Sequence, residues 1–120
     1  MMFSMMYAKI HRANVTHSEL NYNGSMGIDR DFLDATGMMP GQRIDVLNVN
    51  TGSRFTTYIL EEPRGSKTFG VYGAAAHLAK TGDIVIIISY AQMTREEAEA
   101  HQPKVLIMGE GNVVLEKMGI

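Results

Sequence analysis

Tyr22-Asn23-Gly24-Ser25 is the stretch on which the reading of this chain turns. A polypeptide carries no electrophile of its own, and a Gly-Ser bond is one of the few places where it can make one. The Ser25 hydroxyl can attack the Gly24 carbonyl and convert the amide to an ester. Elimination then opens the chain at a dehydroalanine, and hydrolysis leaves a pyruvoyl group on the new N-terminus. Glycine suits the first position because it has no Cβ, accepts a strained backbone and lets the hydroxyl approach. The same four residues also read as a plain turn, since Asn-Gly is the strongest short hairpin signal. Asn23-Gly24-Ser25 and Asn14-Val15-Thr16 match the glycosylation pattern, which only a secreted chain would use. The choice between cleavage and turn rests on the rest of the chain.

The totals describe one ordinary globular domain over residues 1–120. The chain is 45% hydrophobic and 20% charged, a balance that argues against disorder. A net charge of −2 offers no basic surface to nucleic acid or anionic lipid. The absence of cysteine excludes disulfides and thiolate metal sites and fits a reducing compartment. Met1 to Met6 is apolar, but Lys9, His11 and Arg12 end the run too early for a signal peptide. The apolar run Ile84 to Ile88 is too short to span a bilayer. A cytoplasmic protein is expected.

Outward from Gly24-Ser25, the pattern is mostly strands. Met2 to Asn14 alternates loosely and predicts a long strand, whereas His17 to Tyr22 is polar and reads as loop or a short helical turn. Met26 to Ile28 predicts a short strand. Asp29 reads as an N-cap, with Phe32, Leu33 and Thr36 on one helix face and Gly37 as the stop. Pro40-Gly41 is a turn, and Arg43 to Val49 with Arg54 to Leu60 makes a hairpin about Asn50-Thr51-Gly52. Glu61 to Ser66 reads as a polar loop, Thr68 to Val71 as a strand, and Gly73 to Lys80 as a short helix. Gly82-Asp83 leads into a buried strand, Ile84 to Tyr90. Thr94 and Glu97 form a capping box for a helix to about Ala100. Lys104 to Met108 and Val113 to Lys117 close the chain as a strand pair. Short strands, tight turns and a few small helices predict a mainly β fold, a small β-barrel.

Five motifs stand in order along this pattern: Lys9-Ile10-His11-Arg12, Tyr22-Asn23-Gly24-Ser25, Arg54-Phe55-Thr56-Thr57-Tyr58, Gly73-Ala74-Ala75-Ala76-His77 and Gly82-Asp83-Ile84-Val85-Ile86. Together they resemble the pyruvoyl-dependent aspartate 1-decarboxylase family, which makes β-alanine for pantothenate synthesis. The likeness runs from about Met5 to Lys104 and fades in the C-terminal tail. It implies a double-psi β-barrel, assembled as a homotetramer with active sites shared between subunits. It also implies self-cleavage into a β chain, residues 1–24, and an α chain, residues 25–120, that begins with the pyruvoyl group derived from Ser25. That group, and no metal, would be the cofactor. Its ketone would condense with the amine of L-aspartate and take up the electron pair left when carbon dioxide departs.

Such a site needs a cation for carboxylate, a proton donor and shielding from water. Arg54 is the natural clamp, because its planar fork binds both oxygens of a carboxylate, and Lys9 would add positive potential. Taken alone, both also read as solvated surface residues. Tyr58 resembles the family's proton donor, and a tyrosine with its ordinary pKa of about 10 holds its proton at neutral pH. Arg54, Thr56 and Tyr58 share one face of an extended strand. The family nevertheless places Thr57 at the site, so an irregularity in that strand is expected. Gly73, Ala74 and Ala75 bring small side chains and free N–H groups to the start of a helix, although three alanines also read as helix filler. Tyr22 and His11 match residues that the family places near the pocket. The spacing of His11, His17 and His77 supports no metal site.

One departure stands out. The family usually has asparagine immediately before the Gly-Ala-Ala-Ala motif, where this chain has Tyr72. Tyrosine removes an amide placed to hydrogen-bond near the cut and adds bulk, so slowed processing or an altered pocket is expected. Two other readings stay open: a pyruvoyl enzyme for another acidic amino acid such as glutamate, and an uncleaved barrel used for binding. An accessory maturation protein is also compatible with the sequence.

Overall fold

The computed structural model describes residues 1–120. Nine strands run β1 (Phe3–Asn14), β2 (His17–Glu19), β3 (Ser25–Asp29), β4 (Arg43–Asn48), β5 (Arg54–Glu62), β6 (Phe69–Tyr72), β7 (Ile84–Met93), β8 (Lys104–Met108) and β9 (Val114–Met118). Two short helices, α1 (Arg30–Thr36) and α2 (Arg95–Ala100), and two 3₁₀ turns, Gly73–His77 and Glu110–Asn112, join them. The strands hydrogen-bond in the order β2-β6-β3-β5-β4-β7-β1-β8-β9. The mainly β barrel expected from the sequence is the fold observed.

Parallel ladders β1·β8, β2·β6 and β3·β5 sit among antiparallel ones. Parallel neighbours require crossing connections rather than hairpins, and this mixed pairing fits a double-psi barrel. The sheet encloses one cluster of 19 buried residues, among them Ile10, Met26, Ile28, Ile59, Phe69, Val71 and Ile87. Phe69 stacks on Phe32 at 5.3 Å between ring centroids, which docks α1 against β6.

Local sequence signals hold at most of the joints. Asp29 caps α1 by accepting from Asp31 N at 2.8 Å, and Gly37 ends the helix in the left-handed region at φ 75°. Thr94 and Glu97 complete the capping box of α2. Gly82-Asp83 is structural: the Asp83 carboxylate accepts from Asn48 Nδ2 and Lys80 N, each at 2.9 Å.

Four expectations are corrected. His17 to Tyr22 is not all loop, because His17–Glu19 forms β2, paired with Gly70, Val71 and Tyr72. As the terminal strand of the sheet it carries mostly exposed side chains, so it lacks the apolar alternation that announces a strand. The Glu61 to Ser66 loop is shorter than expected, because Glu61 and Glu62 continue β5 alongside Ile28 and Asp29. The strand from Ile84 runs on to Met93, paired with the outer half of β1. The irregularity expected in β5 is absent, since its register with β4 is unbroken from Arg54 to Tyr58. The register shifts fall elsewhere: in β1, between Met6 and Ala8 and between Ile10 and Ala13, where Arg12 takes φ 66°, and in the pairing of β8 with β9, between Ile107 and Met108.

The loop after β5 is held by one carboxylate. Besides capping α1, Asp29 accepts from Gly65 N at 3.1 Å and Lys67 N at 2.7 Å, and the residue is almost wholly buried. Replacing Asp29 by alanine strands three backbone donors and should lower stability by on the order of 3 kcal/mol. Thermal unfolding checks this, and an unchanged midpoint would mean that the loop is held by other contacts.

Candidate active site

Ser25 opens β3, which lies between β5 and β6. The residue is wholly buried and its Oγ has no hydrogen-bond partner. Ser25 pairs with Tyr72 at the end of β6, and the chain then turns at Gly73 with φ 71°. There the two backbones touch. A Cβ on Gly73 would lie 2.5 Å from Gly24 Cα, 2.8 Å from Gly24 N and 3.0 Å from Tyr22 O. No side chain fits at Gly73, for reasons of space and of backbone conformation alike.

A cleft of about 400 Å³ opens beside this contact. Gly24 and Ser25 line one part of it, Phe55, Thr56, Thr57 and Tyr58 another, and Ala74, Ala75 and Leu78 the rest. The cleft wall is largely apolar and small. Ala74 and Ala75 belong to the 3₁₀ turn Gly73–His77, whose first residues have no side-chain cap. The regular β5 reaches the cleft without a bulge: Phe55 and Thr57 are half-buried on the face that carries buried Ile59, and Thr56 and Tyr58 contribute from the exposed face.

The structure therefore brings together Gly24, Ser25, Thr57, Tyr58, Ala74 and Ala75, with Gly73 packed behind Gly24. It does not bring the expected cations to them within one chain. Arg54 lines a neighbouring concavity of about 200 Å³ with Asp45, Leu47 and Tyr90, which shares only Phe55 and Thr56 with the Ser25 cleft. Lys9 and His11 lie on β1, separated from β3 by β5, β4 and β7 in the sheet order. His11 Nδ1 is buried without a partner. Burial, followed by the charges of Lys9 and Arg12, holds the His11 imidazole below its ordinary value, so it favours the neutral form. No three of the histidine and carboxylate side chains are grouped to hold a metal ion.

Tyr22 packs against Tyr72, with ring centroids 5.3 Å apart and planes tilted by 39°. The Tyr72 hydroxyl donates to Glu62 Oε2 at 2.5 Å, so it does not stand in for an asparagine amide at the cut. Burial first, then the hydrogen bond and negative charge of Glu62, pushes the Tyr72 phenol well above the usual tyrosine range.

Phe55, Thr56 and Leu78 were not singled out from the sequence as cleft residues. Phe55 could have been, because it precedes Thr57 by two on one strand. Leu78 sits beyond the motif at the end of the 3₁₀ turn, and only the turn's path brings it back.

The sequence that builds this mainly β fold, with its buried serine after glycine, is similar to that of known decarboxylases. The aspartate decarboxylase family model matches residues 1–115. A Maricaulis maris protein named aspartate 1-decarboxylase is 53% identical over 117 residues, covering 98% of this chain and 97% of its own. Proteins of the same name from Caulobacter vibrioides and Halalkalibacterium halodurans are 52% and 47% identical, over 95% and 97% of this chain and 97% and 91% of their own. This chain belongs to the aspartate decarboxylase family.

The Gly73 contact yields a direct expectation. Gly73→Ala places a methyl group into the Gly24 backbone and should lower the thermal midpoint by several degrees, a loss on the order of 2 kcal/mol. An unshifted midpoint would show that the two backbones separate freely.

Proposed function

We propose that this chain is an aspartate 1-decarboxylase that converts L-aspartate to β-alanine and carbon dioxide, the step that supplies β-alanine for pantothenate. It does so after cutting itself between Gly24 and Ser25 into residues 1–24 and 25–120. The observation that carries this reading is Ser25 Oγ, buried and unpartnered next to a glycine carbonyl at the edge of a cleft. A buried hydroxyl without a partner is costly, and such groups persist where a reaction uses them. The relatives' shared name, at about half identity over nearly the whole chain, supports aspartate as the substrate.

The residues fit a serine-derived pyruvoyl group, since Ser25 is oriented by β3 and has only small or apolar side chains around the cleft besides Thr56, Thr57 and Tyr58. Once formed, that group supplies an electrophilic carbonyl that acts as the electron sink for decarboxylation. The chain's own side chains do the rest. The Ser25 hydroxyl supplies the nucleophile for the cut, and Gly24 leaves its carbonyl unshielded. Tyr58 holds a phenolic proton at the cleft and delivers it to the substrate carbon. Thr57, Gly73, Ala74 and Ala75 shape the space for a small amino acid and limit water. Tyr22 and Tyr72 pack on the Gly24–Ser25 stretch beside the cleft, and Arg54, which binds a substrate carboxylate, Lys9, which adds positive potential, and His11 reach the pocket from a neighbouring copy.

Arg54, Lys9 and His11 lie away from the Ser25 cleft within one chain. This supports an assembly in which a neighbouring copy completes each site, and the family resemblance implies that it is a homotetramer. No helix is long and apolar enough to cross a membrane, and the cysteine-free sequence supports a place in the cytoplasm.

The test is β-alanine release from L-aspartate by matured protein. Ser25→Ala should give none. Tyr58→Phe should leave the cut intact and reduce turnover by about 10²- to 10⁴-fold, the usual worth of a positioned proton donor. Full activity in Ser25→Ala would refute the serine-derived group, and full activity in Tyr58→Phe would move the proton to another donor.

A further inference from the structure

The Tyr72 side chain lies in a trough made by two missing side chains. Gly27 of β3 and Gly70 of β6 face each other across the ladder. A Cβ on Gly27 would fall 2.6 Å from Glu62 Cδ and 2.7 Å from Glu62 Cγ, so the Glu62 side chain occupies that space. A Cβ on Gly70 would fall 2.8 Å from Tyr72 Cε2, so the tyrosine ring occupies the other half. The Tyr72 hydroxyl donates to the Glu62 carboxylate over this bare backbone, at 2.5 Å. At its base, Tyr72 pairs with Ser25, and its ring flanks Tyr22. The residue after it presses on Gly24. The tyrosine thus touches the Tyr22–Ser25 stretch at both ends while its tip is anchored elsewhere.

We propose that Glu62 is a positioning residue for self-cleavage, acting through Tyr72. By holding the phenol along the Gly27–Gly70 trough, Glu62 keeps a bulky ring away from the Gly24–Ser25 bond. It also fixes the Tyr72-Gly73 corner against Gly24. Glu62 is not a catalytic residue, because it touches neither Ser25 nor the scissile bond. The raised phenol pKa agrees with this arrangement, since it keeps the donor protonated. The inference rests on the self-cleavage reading and adds a determinant specific to this chain's Tyr72.

The experiment follows the intact mass of freshly purified precursor over time for the wild type, Glu62→Ala, Glu62→Gln, Tyr72→Phe and the double variant Glu62→Ala/Tyr72→Phe. Glu62→Ala and Tyr72→Phe should each slow cleavage about tenfold, on the scale of one charged hydrogen bond. The double variant should be no slower than either single one, since both remove the same contact. Glu62→Gln, which keeps an acceptor, should cleave within about threefold of the wild type. Tyr72→Phe keeps the ring and decides the matter if Glu62→Ala does not fold. A wild-type chain that never cleaves would overturn the self-cleavage reading and this inference together. A wild type that cleaves alongside variants at its own rate, or single losses that add in the double variant, would overturn this inference alone.

Discussion

The contact between Gly73 and Gly24 is the constraint on which the site depends. Two backbones approach so closely there that a single methyl group on Gly73 would overlap Gly24. The approach is possible because β6 ends opposite Ser25 and Gly73 turns in the left-handed region, which costs glycine little and other residues more. The same contact seats Gly24 against a fixed wall and places Ala74 and Ala75 at the cleft. Ser25, next in sequence, is buried at the head of β3 with its hydroxyl unpartnered. The Gly24–Ser25 bond is thus held by backbone packing, with no acid or base in a hydrogen bond to the serine.

The second organising feature is the alternation of β5. One face carries half-buried Phe55 and Thr57 with buried Ile59, and the other carries exposed Arg54, Thr56 and Tyr58. One regular strand therefore serves two concavities, the Ser25 cleft and the neighbouring one that holds Arg54. On the proposed reading, a second copy of the chain brings the cationic groups to the serine. Two sets of residues that remain apart in one chain would then act together only after assembly. Self-cleavage asks little of those cations, whereas binding an amino acid with two carboxylates needs them.

Much of this was legible in the residues. Asp29 with Gly37, and Thr94 with Glu97, announce their helices because caps are local interactions. The hairpin of β4 and β5 is legible for the same reason, since its turn and its alternation lie within one short stretch. What escaped depends on distant partners. β2 is a strand only because Gly70 to Tyr72 pairs with it, and its exposed side chains carry no apolar signal. The irregularity expected in β5 came from assuming that every site residue uses one strand face, whereas the cleft wraps the strand edge. At the site, Gly24-Ser25 and the Gly-Ala-Ala-Ala motif were visible as chemistry. The partnership of Tyr72 with Glu62 was not, because it needs two glycines on different strands to meet. Its outcome also alters the expectation for Tyr72: the phenol is engaged with Glu62 and lies clear of the asparagine's expected role.

The most direct test of the central claim is the intact mass of the purified, denatured protein after time for maturation. The account predicts two fragments that meet at Gly24 and Ser25, the larger lighter by one ammonia than a chain beginning with serine. That deficit is the signature of an amine replaced by a ketone at residue 25. A single full-length mass that persists on warming would contradict the account, as would a larger fragment that begins with intact serine.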